Sequence, residues 1–291
     1  MFFNQFFIRI IFCYSILLGL ALGQPPEDTR FLLFESGPEK WQGELKTAIT
    51  TYQNESDVLL DLVAAVHIAD SAYFAQLNQY FKDRDAVLYE LVADEGVRPS
   101  PNRILRSGSS VGFVQQALAN FLGVSFQLEY IDYSPRNFIH ADLDPASLAE
   151  IMEAKGENFL SMFISLALSE MGNQQIDSSA SGSSSSLNLL SLMEAFSATD
   201  QRSAFKTLLA AELARSGGSL VDPNLGNQLT LLGDRNRVAL RVLREILQDS
   251  TRQRLSIFYG AAHMQGIEKE IVEQLGFTQV SQRWITAWAI P

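Results

Sequence analysis

Short apolar blocks separated by polar breaks dominate the first part of the chain. LKTAITTY at 45–52 is followed by QNES and then by DVLLDLVAAVH at 57–67. The second block is apolar almost throughout, the pattern of a strand covered on both faces. DSAYFAQLNQYF comes next, with Tyr73, Leu77, Tyr80 and Phe81 at helical spacing and Asp70 or Ser71 placed to cap the helix. DAVLYELVAD at 85–94 is strand-like again. Strand, helix and strand in this order make a βαβ unit with parallel strands and a right-handed crossover.

The pattern then changes period. VGFVQQALANFLG, DPASLAEIMEAKGENFLSMFISLALSEMG and LNLLSLMEAFSATDQRSAFKTLLAAELARSGG all repeat as helices, and SSASGSSSSL at 178–187 reads as a flexible Ser-rich loop between the last two. DRNRVALRVLREILQ is a further helix that presents Val238, Val242, Ile246 and Leu247 to the core. RLSIFYGAAH at 254–263 returns to strand; a helix carrying Ile267, Ile271 and Leu275 follows and stops at Gly276, and FTQVSQRWITAWAI is the last strand. The expected fold is α/β: a central, largely parallel β-sheet with flanking helices and a helical insertion at about 145–250.

The N-terminus changes the picture of location. Arg9 precedes an apolar run from Ile10 to Gly23, and polar, proline-containing sequence follows. A spanning helix needs about 20 apolar residues. This run is shorter and ends in the small residues Ala21 and Gly23, so residues 1–23 read as a signal peptide and 24–291 as a single domain. An uncleaved membrane anchor is the alternative, and either reading puts the body outside the cytoplasm, secreted or periplasmic. The single cysteine, Cys13, lies in that run, so the mature chain offers no disulfide, zinc finger or cysteine nucleophile. The net charge of −11 argues against nucleic acid or anionic lipid as a partner.

Three residues carry the candidate chemistry. His67 closes one expected strand, Glu90 lies within the next, and His263 closes a third. Ligands of open α/β sheets gather at the carboxyl ends of the strands. Two imidazoles and a carboxylate arriving there match a three-ligand metal set with one open position. The plain reading of each histidine is a hydrogen-bonded structural residue. Glu90 is more pointed, because an unpaired carboxylate in an apolar strand requires a metal, an arginine or a site; a buried ion pair with Arg235 or Arg103 is the competing reading. His140, in NFIHADLD, falls in a loop before a helix start at Asp144-Pro145, where it either touches substrate or makes local hydrogen bonds. No serine-hydrolase elbow, H-E-x-x-H, P-loop or dinucleotide fingerprint occurs.

Three stretches in order, AAVHIADSAYFAQLNQYFKDRDAVLYELVAD, GDRNRVALRVLREIL and FYGAAHMQGIEKEIVEQLGF, give the chain a resemblance over about residues 42–290 to the TraB/GumN/Tiki family, related in fold to the erythromycin esterase and ChaN-like proteins. That family carries two G-x-x-H motifs, a glutamate after the first, and an Arg-Asn pair ahead of the second. Here Gly260 to His263 is intact, whereas the first motif reads Ala64-Ala65-Val66-His67, with alanine in place of glycine. The alanine matters if the backbone must take positive φ there. The resemblance implies a metal-dependent peptide hydrolase that uses manganese or cobalt, with zinc the remaining candidate. It implies His67 and His263 as metal ligands, Glu90 as third ligand or general base, and Arg235 as a group that steadies an oxyanion or holds Glu90 ionised. Asn236, like His140, becomes a candidate substrate contact, and Asp70 or Asp94 a source of further carboxylate ligation. The implied partner is a peptide or protein substrate. A non-catalytic protein that sequesters a peptide or other ligand is the rival expectation, and haem binding as in ChaN-like relatives a weaker form of it.

Overall fold

The computed structural model describes residues 30–94, 96–99, 101, 122–154, 189–217 and 230–291. The expected signal peptide, the Ser-rich loop, Arg103 and the apolar helical stretches at 111–121 and 155–172 lie outside the described residues. No helix among the described residues is long and apolar enough to cross a membrane.

Along the chain the elements are β1 (Leu32–Ser36), β2 (Gly43–Gln53), β3 (Leu59–Ala65), β4 (Ile68–Ala69), α1 (Ser71–Phe81), β5 (Ala86–Tyr89), β6 (Ser125–Phe126), α2 (Gln127–Tyr130), β7 (Phe138–His140), α3 (Pro145–Ala154), α4 (Leu189–Ser197), α5 (Gln201–Arg215), α6 (Arg235–Ile246), β8 (Arg254–Gly260), α7 (Ala261–Leu275) and β9 (Thr278–Ile290). A π-helical turn, Thr230–Asp234, leads into α6. The α/β class expected from the alternating periods is the fold observed: a mixed sheet with a parallel core and helices around it.

The main sheet runs β1-β2-β3-β8-β5-β7, with β9 also on β2. β3, β8, β5 and β7 are mutually parallel neighbours. β2 pairs antiparallel with β1, β3 and β9. β3, α1 and β5 form the expected parallel unit, but its two strands are not adjacent. β8, which comes more than 150 residues later in the chain, is inserted between them, with Ala65 opposite Gly260 and Tyr89 opposite Phe258. β8 is buried from Leu255 to Gly260, as a strand covered on both faces must be. Rings fill the space between sheet and helices: Phe81 of α1 packs on Phe258 of β8 and on Phe138 of β7.

Several element boundaries differ from the sequence pattern for identifiable reasons. β5 ends at Tyr89, so Glu90 lies one residue past the strand. Its backbone N–H still donates to Phe258 O at 3.2 Å, which makes Glu90 the last rung of the ladder while its side chain leaves the apolar layer. His263 is not at a strand end, because β8 stops at Gly260 and the histidine sits in the first turn of α7. His140 belongs to β7 rather than to a loop. Asp70 occupies the N-cap position of α1 without a side-chain cap hydrogen bond. α6 is rotated relative to expectation: Ala239, Leu240, Leu243 and Ile246 are buried together with Arg235 and Asn236, and Val238, Val242 and Leu247 are only half-buried. Two polar residues at its start point inward, and they fix the phase of the helix.

α7 ends as expected. Gly276 has φ 68°, in the left-handed region, and a Cβ there would meet nothing within 4 Å. Gly276→Ala therefore carries a backbone cost alone, about 1–2 kcal/mol. Ile257→Ala, in the fully buried middle of β8, removes packed methyl groups and is expected to cost about 2–5 kcal/mol. Urea unfolding of both variants checks this; an equal loss at the two positions would contradict it.

Candidate active site

The inserted strand explains why three distant stretches meet. With β8 between β3 and β5, the carboxyl ends of all three strands lie side by side, and the chain delivers His67 two residues after β3, Glu90 one residue after β5, and His263 one helical turn after β8. Gly260 is at the centre. Its N–H donates to Glu90 Oε2 at 2.7 Å. A Cβ on Gly260 would lie 3.3 Å from Glu90 Oε2, 3.5 Å from His67 Nε2 and 3.8 Å from His263 Cδ2. Its φ of −54° is open to any residue. A side chain here would have to displace Glu90 Oε2 by a few tenths of an ångström, and the volume it would occupy is where the three groups converge.

Each imidazole is held from behind by an amide. Asn236 Nδ2 donates to His263 O at 3.3 Å, which turns Asn236 Oδ1 toward His263 Nδ1 at 2.7 Å. An amide oxygen only accepts, so Nδ1 carries the hydrogen and Nε2 faces Glu90 Oε1 at 3.5 Å. His67 repeats the arrangement. Gln127 Nε2 donates to Tyr133 Oη at 2.8 Å, which leaves Gln127 Oε1 to accept from His67 Nδ1 at 3.2 Å. The backbone N–H of Gln127 also donates to His67 O at 2.8 Å, beside the short β4–β6 ribbon. His263 is buried and His67 exposed, so one imidazole seals the centre and the other borders solvent.

Glu90 has a side chain 8% exposed and is joined to Arg235, whose Nη2 lies 2.7 Å from Oε1. The same guanidinium donates through Nε to Asp142 Oδ1 at 2.9 Å and through Nη2 to Asp142 Oδ2 at 2.6 Å. Burial alone would raise the carboxyl of Glu90; the charge of His263 and its hydrogen bond, then the charges of Arg235 and His67, outweigh that and hold it well below the usual carboxylate range. Burial likewise works against the charge on Arg235, and the hydrogen bond to Asp142 with the charge of Glu90 more than offsets it. Burial pushes the Tyr259 hydroxyl well up, with Asp142 and Glu90 adding to it, so it stays protonated and donates a hydrogen bond to Ala141 O.

His67, Glu90, Arg235 and His263 are thus brought together. Asn236 stands behind His263 as the group that orients it. His140 is not part of the cluster: its Nε2 donates to Leu91 O at 2.6 Å and its ring contacts Tyr89. Asp70 accepts from Lys206 and from Ala289 N, and Asp94 is exposed in a loop. The alanine of the first motif is no obstacle: the only positive-φ non-glycine among the described residues is Asp57, so Ala64 is ordinary strand, its carbonyl accepting from the Tyr73 hydroxyl. Asp142, Gln127 and Tyr133 escaped the sequence reading. Asp142 carries a faint signal as an acidic residue two positions after His140; Gln127 and Tyr133 carry none. Among the described residues, no group of three or more His, Cys, Asp or Glu side chains is already arranged to hold a metal ion. No family model, curated protein or solved structure matches the chain.

The Glu90–Arg235–Asp142 cluster gives a sharp stability test. Arg235→Met removes the cation that two buried carboxylates share, and a loss of about 3–5 kcal/mol in urea unfolding is expected. Adding Glu90→Gln and Asp142→Asn to Arg235→Met should recover much of that loss. Strictly additive destabilisation by the three changes would contradict the assignment.

Proposed function

We propose that this chain is a divalent-metal-dependent hydrolase acting outside the cytoplasm on peptides or proteins, in the manner implied by its resemblance to the TraB/GumN/Tiki family. The observation that carries the reading is the matched anchoring of the two imidazoles. Each is fixed through Nδ1 by an amide oxygen, and each Nε2 is left toward the space above Gly260 where Glu90 ends. Buried polar partners behind the ring are what a ligating histidine needs to be held in one tautomer and orientation. The donor set fits a divalent cation such as manganese, cobalt or zinc, with His67 Nε2, His263 Nε2 and a Glu90 oxygen as ligands. When bound, the ion supplies Lewis acidity, making water a nucleophile near neutral pH and polarising a carbonyl.

The chain's own residues account for the remaining chemistry. Glu90 is kept ionised at pH 7 and retains lone pairs beyond those accepting from Gly260 N and Arg235, so it can ligate a cation or orient an attacking water by accepting its hydrogen bond. Arg235 fixes Glu90 in place and sets a positive charge within 2.7 Å of it, where it offsets negative charge developing on a tetrahedral oxygen. His67, bordering solvent, stands where substrate enters, and the buried His263 excludes water on the core side. Location outside the cytoplasm rests on the N-terminal apolar run.

One observation favours the rival reading, a protein that binds a peptide or other ligand without cleaving it. Both oxygens of Glu90 already accept hydrogen bonds within the protein, and no three ligand groups stand preassembled among the described residues. Metal titration and a peptide-library assay on purified mature protein separate the two. The hydrolase reading expects binding of manganese, cobalt or zinc at one equivalent, cleavage that requires the metal, and loss of both in His263→Ala. Asn236→Ala, which frees His263 Nδ1, should weaken metal affinity about 10–100-fold. Absence of metal binding under every loading condition would overturn the hydrolase reading; stoichiometric metal with no cleavage would favour sequestration.

A further inference from the structure

The sheet's last strand borders a second feature that the proposed hydrolytic site does not use. β7, paired only with β5 among the described residues, faces the loop after β5 and the middle of α6 across a cleft with a volume of about 590 Å³. Four arginines line it: Arg98 from the loop, Arg136 just before β7, Arg241 from α6, and Arg252 from the turn before β8. In a chain with 22 basic and 33 acidic residues, four arginines gathered on one cleft are a local concentration of positive charge. Arg98, Arg136 and Arg241 are exposed and have no carboxylate within ion-pair distance among the described residues. Arg237, one turn before Arg241, is by contrast paired with Asp234. Arg98 is held by a hydrogen bond from Nη1 to Pro135 O at 3.2 Å, which ties the loop to the segment carrying Arg136. Arg252 pairs with Asp249 at 3.1 Å.

The two carboxylates lining the cleft are committed elsewhere. Asp142 has no exposed side-chain surface and both its oxygens accept from Arg235. Asp144 accepts from the N–H and hydroxyl of Ser147, capping α3. Three of the cleft's guanidinium groups, those of Arg98, Arg136 and Arg241, thus have no negative complement among the described residues. Its volume is that of a small-ligand site. Guanidinium forks favour planar, bidentate acceptors, carboxylate or phosphate.

We propose that this cleft binds an oligoanion: a small molecule or short chain segment carrying two or more carboxylates or phosphates. Such a ligand bridges Arg136 and Arg241, with Arg98 closing one side, and it sits next to Tyr89 and Asp142, hence beside Glu90 and Arg235. The proposal needs no metal and no catalysis, so its test is run on the whole mature chain stripped of metal by a chelator that is then removed by gel filtration, where its failure is separate from failure of the hydrolase reading.

The probe is a fluorescein-labelled peptide containing Glu-Glu-Glu, compared by anisotropy with its Gln-Gln-Gln counterpart, and binding of inorganic tripolyphosphate is measured directly by titration calorimetry. The acidic peptide or tripolyphosphate should bind at least about tenfold tighter than the glutamine peptide, and Arg136→Gln/Arg241→Gln should weaken that binding about tenfold or more. Arg244→Gln, which removes an exposed arginine of the same helix that does not line the cleft, should leave it within about twofold. Far-UV circular dichroism of each variant checks that the fold is kept. Binding of the acidic peptide identifies a carboxylate source, and binding of tripolyphosphate alone a phosphate source; both support the cleft. No preference for either anion over the glutamine peptide, or equal effects of the Arg136/Arg241 and Arg244 variants, would overturn it.

Discussion

A single buried carboxylate organises this molecule. Glu90 ends the apolar strand β5 in a place where an ionised group is tolerated only if fully engaged, and it is: by the amide of Gly260, by Arg235, and by the facing Nε2 of His263. Each partner comes from a different element, so satisfying Glu90 ties β5 to the β8–α7 junction and to the start of α6. The same requirement sets the phase of α6, whose first residues must face inward to bring Arg235 to Glu90 and Asn236 to His263. Arg235 in turn carries Asp142, which follows β7, into the cluster.

The segment that carries His67 is fixed independently. Trp288 of β9 donates through Nε1 to Ile68 O at 2.7 Å, Asp70 N donates to Ala287 O at 2.9 Å, and Asp70 accepts from Ala289 N at 2.7 Å and from the buried Lys206 at 3.1 Å. The long antiparallel pairing of β9 with β2 thus reaches the site through the residues just after His67. A site held by rigid strands and by polar contacts behind its reactive groups keeps its geometry without relying on mobile loops.

Much of this could be read from sequence because burial leaves a strong signature. The runs LLDLVAA, AVLY and RLSIFYG are apolar since both faces of their strands are covered, and a glutamate directly after such a run stands out for the same reason. His67 and His263 stood out as members of a set of three histidines at the ends of apolar runs. What failed depends on contacts between segments far apart in the chain. Val238 and Val242 suggested a core face for α6, because helical periodicity cannot weigh an inward-facing arginine whose partners lie at Glu90 and Asp142. The apolar Ala261 and Ala262 extended the apparent strand beyond Gly260, although the helix starts there. Gln127 is positioned by a two-residue ribbon too short to leave any period, and its role in orienting His67 has no local sequence signal.

Glu90, His67 and His263 converge on one centre, which we propose receives a divalent ion. Anomalous scattering from crystals grown with manganese tests it most directly. A single strong peak within bonding distance of Nε2 of both histidines and of Glu90 is expected, with Asn236 and Gln127 still on the Nδ1 atoms behind them. Ordered manganese at another position, or none at saturating concentration with the three side chains unmoved, would contradict it.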